Sequence, residues 1–221
     1  MELDHCLFPD DLLYDVESNT WVRIESDGRV RIGVSSLLSA IAGKLTSARL
    51  KPAGISVEKG RSLGTLESMK FVGPIPSPIS GLIIETNDLV ASRPKLLNDA
   101  PYKEGWIARL KPSRLEQEKA SLSKPQDSKE LLRSKIAEFR ARCFKAFPDH
   151  EMYEIGSECS AVLVRLNELV STIPIGDVIH VVSDDPTAYV EMERWTDETG
   201  QSLVDWRREG NLFHFIAKKI R

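Results

Sequence analysis

Ser62-Leu63-Gly64-Thr65-Leu66-Glu67-Ser68-Met69-Lys70-Phe71-Val72-Gly73 places a lysine inside a glycine-punctuated run. Gly64 and Gly73 lie within it, and Gly60 and Gly81 flank it. They allow the tight turns and close strand contacts of a small barrel. Leu63, Leu66, Ile83 and Ile84 belong to apolar runs that can bury as strands on either side. The pattern is that of a β-hairpin with Lys70 at its tip. A lysine at a tight turn has nothing to pack on, so it is either solvated or a handle for covalent modification. For an arbitrary lysine the solvated reading is the ordinary one, and the surroundings must decide.

Upstream, Trp21-Val22-Arg23 is followed by Asp27-Gly28 and then by Val30-Arg31-Ile32-Gly33-Val34. Ser77-Pro78-Ile79-Ser80-Gly81 follows the lysine. Asn98-Asp99-Ala100-Pro101-Tyr102, Gly105-Trp106 and Lys111-Pro112-Ser113 close the segment. In this order, with Glu67-Ser68-Met69-Lys70 as the attachment motif, the first half of the chain resembles the H protein of the glycine cleavage system, a lipoyl-carrier family. That resemblance implies lipoate in amide linkage to Lys70, with Glu67, Ser68 and Met69 completing the motif, on a flattened barrel of short antiparallel strands. The chain departs from the family's pattern at Phe71, at Gly73-Pro74-Ile75-Pro76 and at Asn19-Thr20. Biotin carriers also hold a Met-Lys on a hairpin, but they lack the flanking Trp21 and Gly105-Trp106 segments.

The 221 residues suffice for one large or two small domains. A net charge of -3 argues against nucleic acid, whose phosphates call for a basic face. No apolar run approaches a membrane span, and Met1-Glu2-Leu3-Asp4-His5 lacks the basic and apolar regions of a signal peptide. A cytoplasmic protein without a membrane partner is expected. Cys6, Cys143 and Cys159 are odd in number and suggest neither a disulfide framework nor a metal site; a reducing compartment fits. His5, His150, His180 and His214 are scattered without ligand spacing.

The spacing divides the chain into a first domain over 1–113, a helical connector over 114–148 and a second domain over 149–221. Pro125 breaks the connector within Ser123–Ser128, a stretch expected to be exposed and cleavable. Beyond it, Leu132, Ile136, Phe139, Cys143 and Phe147 recur at helical spacing up to Pro148, which makes Cys143 a buried inert thiol in an apolar stripe.

The last 73 positions alternate strand and helix patterns in the order β-α-β-α-β-β. Asp184 and Asp185 before Pro186 read as the cap of the second helix, and Gly200 as its left-handed end. Cys159 starts the first helix, where unpaired N–H groups are expected to lower a thiol pKa. A small buried residue at a strand–helix junction is the other reading. Gly156-x-x-Cys159, Ser183-Asp184-Asp185-Pro186, Trp195 and Thr199-Gly200 resemble the TusA-type sulfurtransferases, which implies a persulfide on Cys159. That family has Cys-Pro-x-Pro where this chain has Cys159-Ser160-Ala161-Val162.

The fold expected is therefore α+β: a flattened β-barrel lipoyl domain followed by a β-α-β-α-β-β two-layer sandwich. The two resemblances together imply a carrier rather than an independent enzyme. It would accept sulfane sulfur, with sulfurtransferase chemistry at Cys159, and present it on lipoyl-Lys70 to a heterodisulfide-reductase-like sulfur-oxidation complex. A lipoate ligase would load it. The alternative is an aminomethyl carrier serving glycine-cleavage enzymes, with the second domain as a docking module.

Overall fold

Thr20–Ile24 and Val30–Val34 are β-rich five-residue runs joined through Asp27-Gly28, and Gly28 takes the left-handed φ of +80° that the turn requires. In the computed structural model, which describes residues 1–221, they pair as an antiparallel hairpin at the centre of the first of two units, Met1–Cys143 and Phe144–Arg221. In chain order the first unit contains β1 (Glu2–Leu3), β2 (Cys6–Leu7), β3 (Leu13–Asp15), β4 (Thr20–Ile24) and β5 (Val30–Val34). Then come α1 (Ser36–Ala42), β6 (Leu45–Leu50), β7 (Ser56–Val57), β8 (Ser62–Ser68), β9 (Val72–Pro76) and β10 (Gly81–Thr86). It ends with α2 (Asp88–Ser92), α3 (Leu96–Asp99), β11 (Trp106–Pro112), α4 (Leu115–Glu118) and α5 (Lys129–Glu138).

A six-stranded sheet, β3-β4-β5-β11-β10-β7, and a three-stranded sheet, β6-β8-β9, share one core. Val22, Ile32, Leu45, Leu63, Leu66, Ile75, Ile83 and Leu110 come from both and are almost wholly buried. This is the flattened barrel. Trp21 explains why Gly33 is glycine: a Cβ there would lie 2.4 Å from the indole Cζ2. The indole Nε1 donates to the Pro101 carbonyl at 3.0 Å, so the opening hairpin is tied to the closing segment.

Residues 114–143, expected as a connector, lie within the first unit. Ser123 forms an antiparallel bridge with Tyr14, and Leu122, Pro125 and Ser128 are buried. The Glu118 carboxylate accepts from the Ser80 N–H and hydroxyl, both at 2.6 Å. The Ser123–Ser128 break is thus tied down at Ser123 by a strand partner and buried at Pro125 and Ser128, while Lys124, Gln126 and Asp127 are exposed. Leu132 and Ile136 bury their side of the stripe among Phe8, Leu12, Tyr14 and Trp21. The helix does not continue to Phe147. It stops at Glu138, Arg140 turns to φ +47°, and Phe139 is half exposed.

Nor is Cys143 an inert thiol: it forms a disulfide with Cys6, 137 residues away. The odd cysteine count hid this pair, and only Cys159 remains a thiol. The disulfide predicts a specific proteolytic result. Arg140 and Arg142 are exposed in a stretch without regular structure. After tryptic cleavage at either, the two fragments should run together on a non-reducing gel and separate once reductant is added. Separation without reductant would refute the pairing.

The second unit contains β12 (His150–Glu154), α6 (Cys159–Thr172), β13 (Val178–Ser183), α7 (Ala188–Thr199), β14 (Ser202–Glu209) and β15 (Leu212–Lys218). The expected β-α-β-α-β-β order folds into one sheet, β12-β13-β15-β14, parallel between β12 and β13 and antiparallel elsewhere. Val162, Leu166, Met192 and Trp195 of the helices pack on Ile179, Val181, Phe213 and Phe215. Gly200 ends α7 at φ +68°, the left-handed cap read from the sequence. His180 and His214 are buried and hydrogen-bonded to each other at 2.9 Å, so they serve as paired core residues. No helix of the structure is long and apolar enough to cross a membrane.

Candidate functional site: the Lys70 turn and the start of helix α6

The β8–β9 register pairs Glu67 with Val72, and the Ser68 N–H donates to the Phe71 carbonyl at 2.8 Å. Met69, Lys70 and Phe71 are left to form the turn. Met69 is 97% exposed and Lys70 is exposed, so the turn projects its two central side chains into solvent. Phe71 instead folds back over Gly73, where a Cβ would meet the ring at 2.7 Å, and packs on the core. This departure from the family's pattern anchors one side of the turn. The prolines Pro74 and Pro76 are tolerated because β9 is the edge of its sheet, where a missing N–H breaks no second ladder.

Ser68 anchors the other side. Its hydroxyl donates to the Ala42 carbonyl at 2.6 Å and accepts the Lys70 N–H at 3.2 Å. The Glu67 carbonyl accepts from Thr46 Oγ1 at 3.3 Å, and its carboxylate lies 3.9 Å from Arg49. Glu67, Ser68, Met69 and Lys70 therefore form one unit: two residues that fix the turn and two that project from it. Sequence reasoning missed the turn's partners on the α1 side, the Ala42 carbonyl and Gly43, which lies against the Lys70 stem. The signal for Gly43 was a glycine directly after an apolar helical run, a helix-ending pattern.

Cys159 lies where the sequence put it, as the first residue of α6, but in a different electrostatic setting. Its N–H donates to Asp185 Oδ2 at 2.8 Å, and the Gly156 N–H donates to Asp184 Oδ1 at 2.8 Å. The two aspartates thus reach across from the end of β13 to hold the Gly156–Cys159 loop. Asp185 serves both helices, since its Oδ1 also accepts the Thr187 N–H and hydroxyl at 2.7 Å. These Thr187 contacts, aided by the Cys159 N–H, hold the Asp185 carboxyl below its ordinary range. The thiol is 5% exposed, and its pKa is pushed up to about 11, first by burial and then by the charges of Asp185 and Glu191. The expectation of a lowered pKa is corrected for a physical reason. The N–H that would have stabilised a thiolate is already satisfied by a carboxylate, whose charge opposes a second anion.

No three His, Cys, Asp or Glu side chains gather in a way that could hold a metal ion. Two open surface grooves, of about 640 and 630 Å³, flank Lys111 and Pro112 and include neither Lys70 nor Cys159. The chemistry is therefore that of an exposed amine on a fixed turn and, separately, a shielded thiol.

Comparison with known proteins agrees with this division. The family Glycine cleavage H-protein matches residues 12–135, and the family Sulfurtransferase TusA matches residues 154–219. Glycine cleavage system H protein 2 of Aquifex aeolicus (strain VF5) is 39% identical over 138 residues, which span 62% of this chain and 86% of that protein. A probable glycine cleavage system H protein 2 of Saccharolobus solfataricus is 35% identical over 135 residues, spanning 60% and 84%. Among solved structures, the glycine cleavage system H protein from Mycobacterium marinum superposes with a TM-score of 0.51 at 28% identity, covering 56% of this chain and 98% of that one. Members of the H-protein family carry lipoate covalently on a lysine, and the solvent-projected amine of the first unit fits that requirement. The chain belongs to the glycine cleavage H-protein family, as a lipoyl-carrier module followed by a TusA-type sulfurtransferase domain.

Proposed function

We propose that this protein is a lipoate-binding carrier of sulfur metabolism, which accepts sulfane sulfur and presents it on the Lys70 arm to a heterodisulfide-reductase-like oxidising complex. The observation that carries this reading is the presence, on one chain, of an exposed attachment lysine and a TusA-type domain that retains its cysteine. Lys70 supplies the amine for amide formation, and Ser68 and Glu67 fix the turn that presents it. Bound lipoate supplies a dithiol on a long swinging arm. Cys159 is the sulfur acceptor of the second unit. Its sulfur attacks the outer sulfur of a donor persulfide and the donor's S–S bond breaks. The donor leaves as a thiolate that takes up the proton Cys159 gives up, with no net oxidation. Burial keeps Cys159 protonated at rest, so loading requires a donor that draws the thiol out.

The relatives' names favour a second reading, an aminomethyl carrier for glycine cleavage. One experiment separates the two. Protein whose lipoyl group is reduced to the dithiol is incubated in one arm with inorganic polysulfide, protein whose lipoyl group is the oxidised disulfide is incubated in the other with a glycine decarboxylase and glycine, and the Lys70 peptide is weighed by mass spectrometry. The sulfur reading expects sulfur addition to that peptide in the first arm, reduced in the Cys159→Ser variant. Aminomethyl loading in the second arm with no sulfur addition in the first would establish the glycine reading instead.

A further inference from the structure

The Lys70 stem is not free along its length. A Cβ added at Gly43 would lie 2.6 Å from Lys70 Cε, 3.4 Å from Nζ and 3.6 Å from Cδ. The lysine stem therefore lies flat across the Gly43 peptide, at the corner where α1 turns into β6. Gly43 has φ +75°, so the backbone there favours glycine, and a Cβ there would push the Lys70 stem aside. A second feature points the same way. The Asn98 side chain is buried, and both ends of its amide are committed to this corner. Nδ2 donates to the Gly43 carbonyl at 2.9 Å, and Oδ1 accepts the Leu45 N–H at 2.9 Å. Ser39 Oγ donates to the Leu97 carbonyl at 2.6 Å, which fastens α1 to the helix that carries Asn98. Ser68, through Ala42, pins the lysine turn to the same corner.

We infer that the Ala42-Gly43 corner, held by Asn98, is a platform that positions the Lys70 amine for the enzyme that attaches lipoate. The inference rests on Lys70 being the attachment site. The physical argument concerns rotamers. An exposed lysine spreads its amine over many staggered conformations, and an attaching enzyme must select the one that reaches the acyl carbon. A stem laid on a peptide loses most of those conformations before the enzyme arrives, and its amine is held beside Gly43. Gly43, Asn98 and Ser68 are then positioning residues: they touch neither acyl group nor enzyme, and act through where they leave Nζ. An alanine at Gly43 lifts the stem without changing the amine or its charge.

The test needs a control for backbone strain, and the fold contains one. Gly28 has φ +80° and no atom within 4 Å of where a Cβ would stand, so Gly28→Ala carries similar left-handed strain but displaces nothing. Full-length wild type, Gly43→Ala, Gly28→Ala, Ser68→Ala and Ser68→Thr are each incubated with a lipoate ligase, ATP and lipoate, and adduct formation is followed by intact mass. Gly43→Ala is expected to lose about tenfold or more in kcat for attachment with little change in KM, as misplacement of a reacting atom does, while Gly28→Ala stays within about twofold of wild type. Ser68→Ala should slow attachment and Ser68→Thr, which keeps the hydroxyl, should restore it; this pair decides the matter if Gly43→Ala does not fold. Gly43→Ala and Ser68→Ala both loading like Gly28→Ala would overturn the platform while leaving Lys70 in place. A wild type that takes up no lipoate, or loads elsewhere than Lys70, would remove the attachment reading itself and the platform with it.

Discussion

Lys70→Arg is expected to abolish lipoyl attachment completely while leaving the fold intact. Arginine keeps the positive charge and the long stem, but its guanidinium stays protonated and offers no amine lone pair for amide formation. The side chain is exposed at the tip of a turn whose hydrogen bonds come from Ser68 and Phe71, so the change in stability should stay within about 0.5 kcal/mol. Intact mass after co-expression with a lipoate ligase should show one adduct on the wild type and none on the variant. The other lysines, such as Lys95 paired with Asp99, lack a comparable turn and motif. An adduct persisting on Lys70→Arg would mean that a different lysine carries the group.

Cys159 should prove a slow thiol at neutral pH and a fast one only in strong alkali. With its pKa near 11, roughly one molecule in ten thousand holds the thiolate at pH 7, since each unit below the pKa lowers that fraction tenfold. The rate of alkylation by iodoacetamide in the folded protein should therefore climb about tenfold per pH unit well beyond pH 9. Asp185→Asn keeps an oxygen to accept the Cys159 N–H but removes the carboxylate charge. It should shift the profile to lower pH by less than full exposure would, because burial is the larger cause. The sign for stability follows. Folding raises this pKa, so the folded state favours the protonated form, and the associated stability is present below the ordinary thiol range and lost as pH climbs toward 11. An alkylation midpoint below about 8.5, the free-thiol value, would show that the helix start outweighs burial after all.

The contrast between these two residues shows what the sequence could convey. The turn that carries Lys70 was legible because its signals are local: the glycines and the flanking strands are all close in sequence. The β-α-β-α-β-β order was legible for the same reason, down to Gly200 at the end of α7. Each correction involves a partner distant in the chain. Asp185 reads as a cap for the helix that follows it, yet also binds the start of a helix 26 residues earlier. Ser123 lies in a polar, proline-broken stretch whose strand partner, Tyr14, is more than a hundred residues away. Helix-end electrostatics argued from Cys159 alone omitted the apolar cluster that closes over it. Gly43 is legible as a helix end, but its closeness to the Lys70 stem is not, since the two are 27 residues apart.

The Cys6–Cys143 link also bears on how the chain is made. A ribosome that adds 5–20 residues per second needs roughly 7–27 s to travel the 137 residues between the two cysteines. Barrel strands β3 to β11 all lie within that interval and can pair before Cys143 exists. Cys6 must wait as a lone thiol through this period, so the covalent ring can close only after every barrel strand has been made. The second unit is translated after the ring's last member and stays outside it. Reduction of this link would therefore loosen only the lipoyl module, because both of its cysteines lie there.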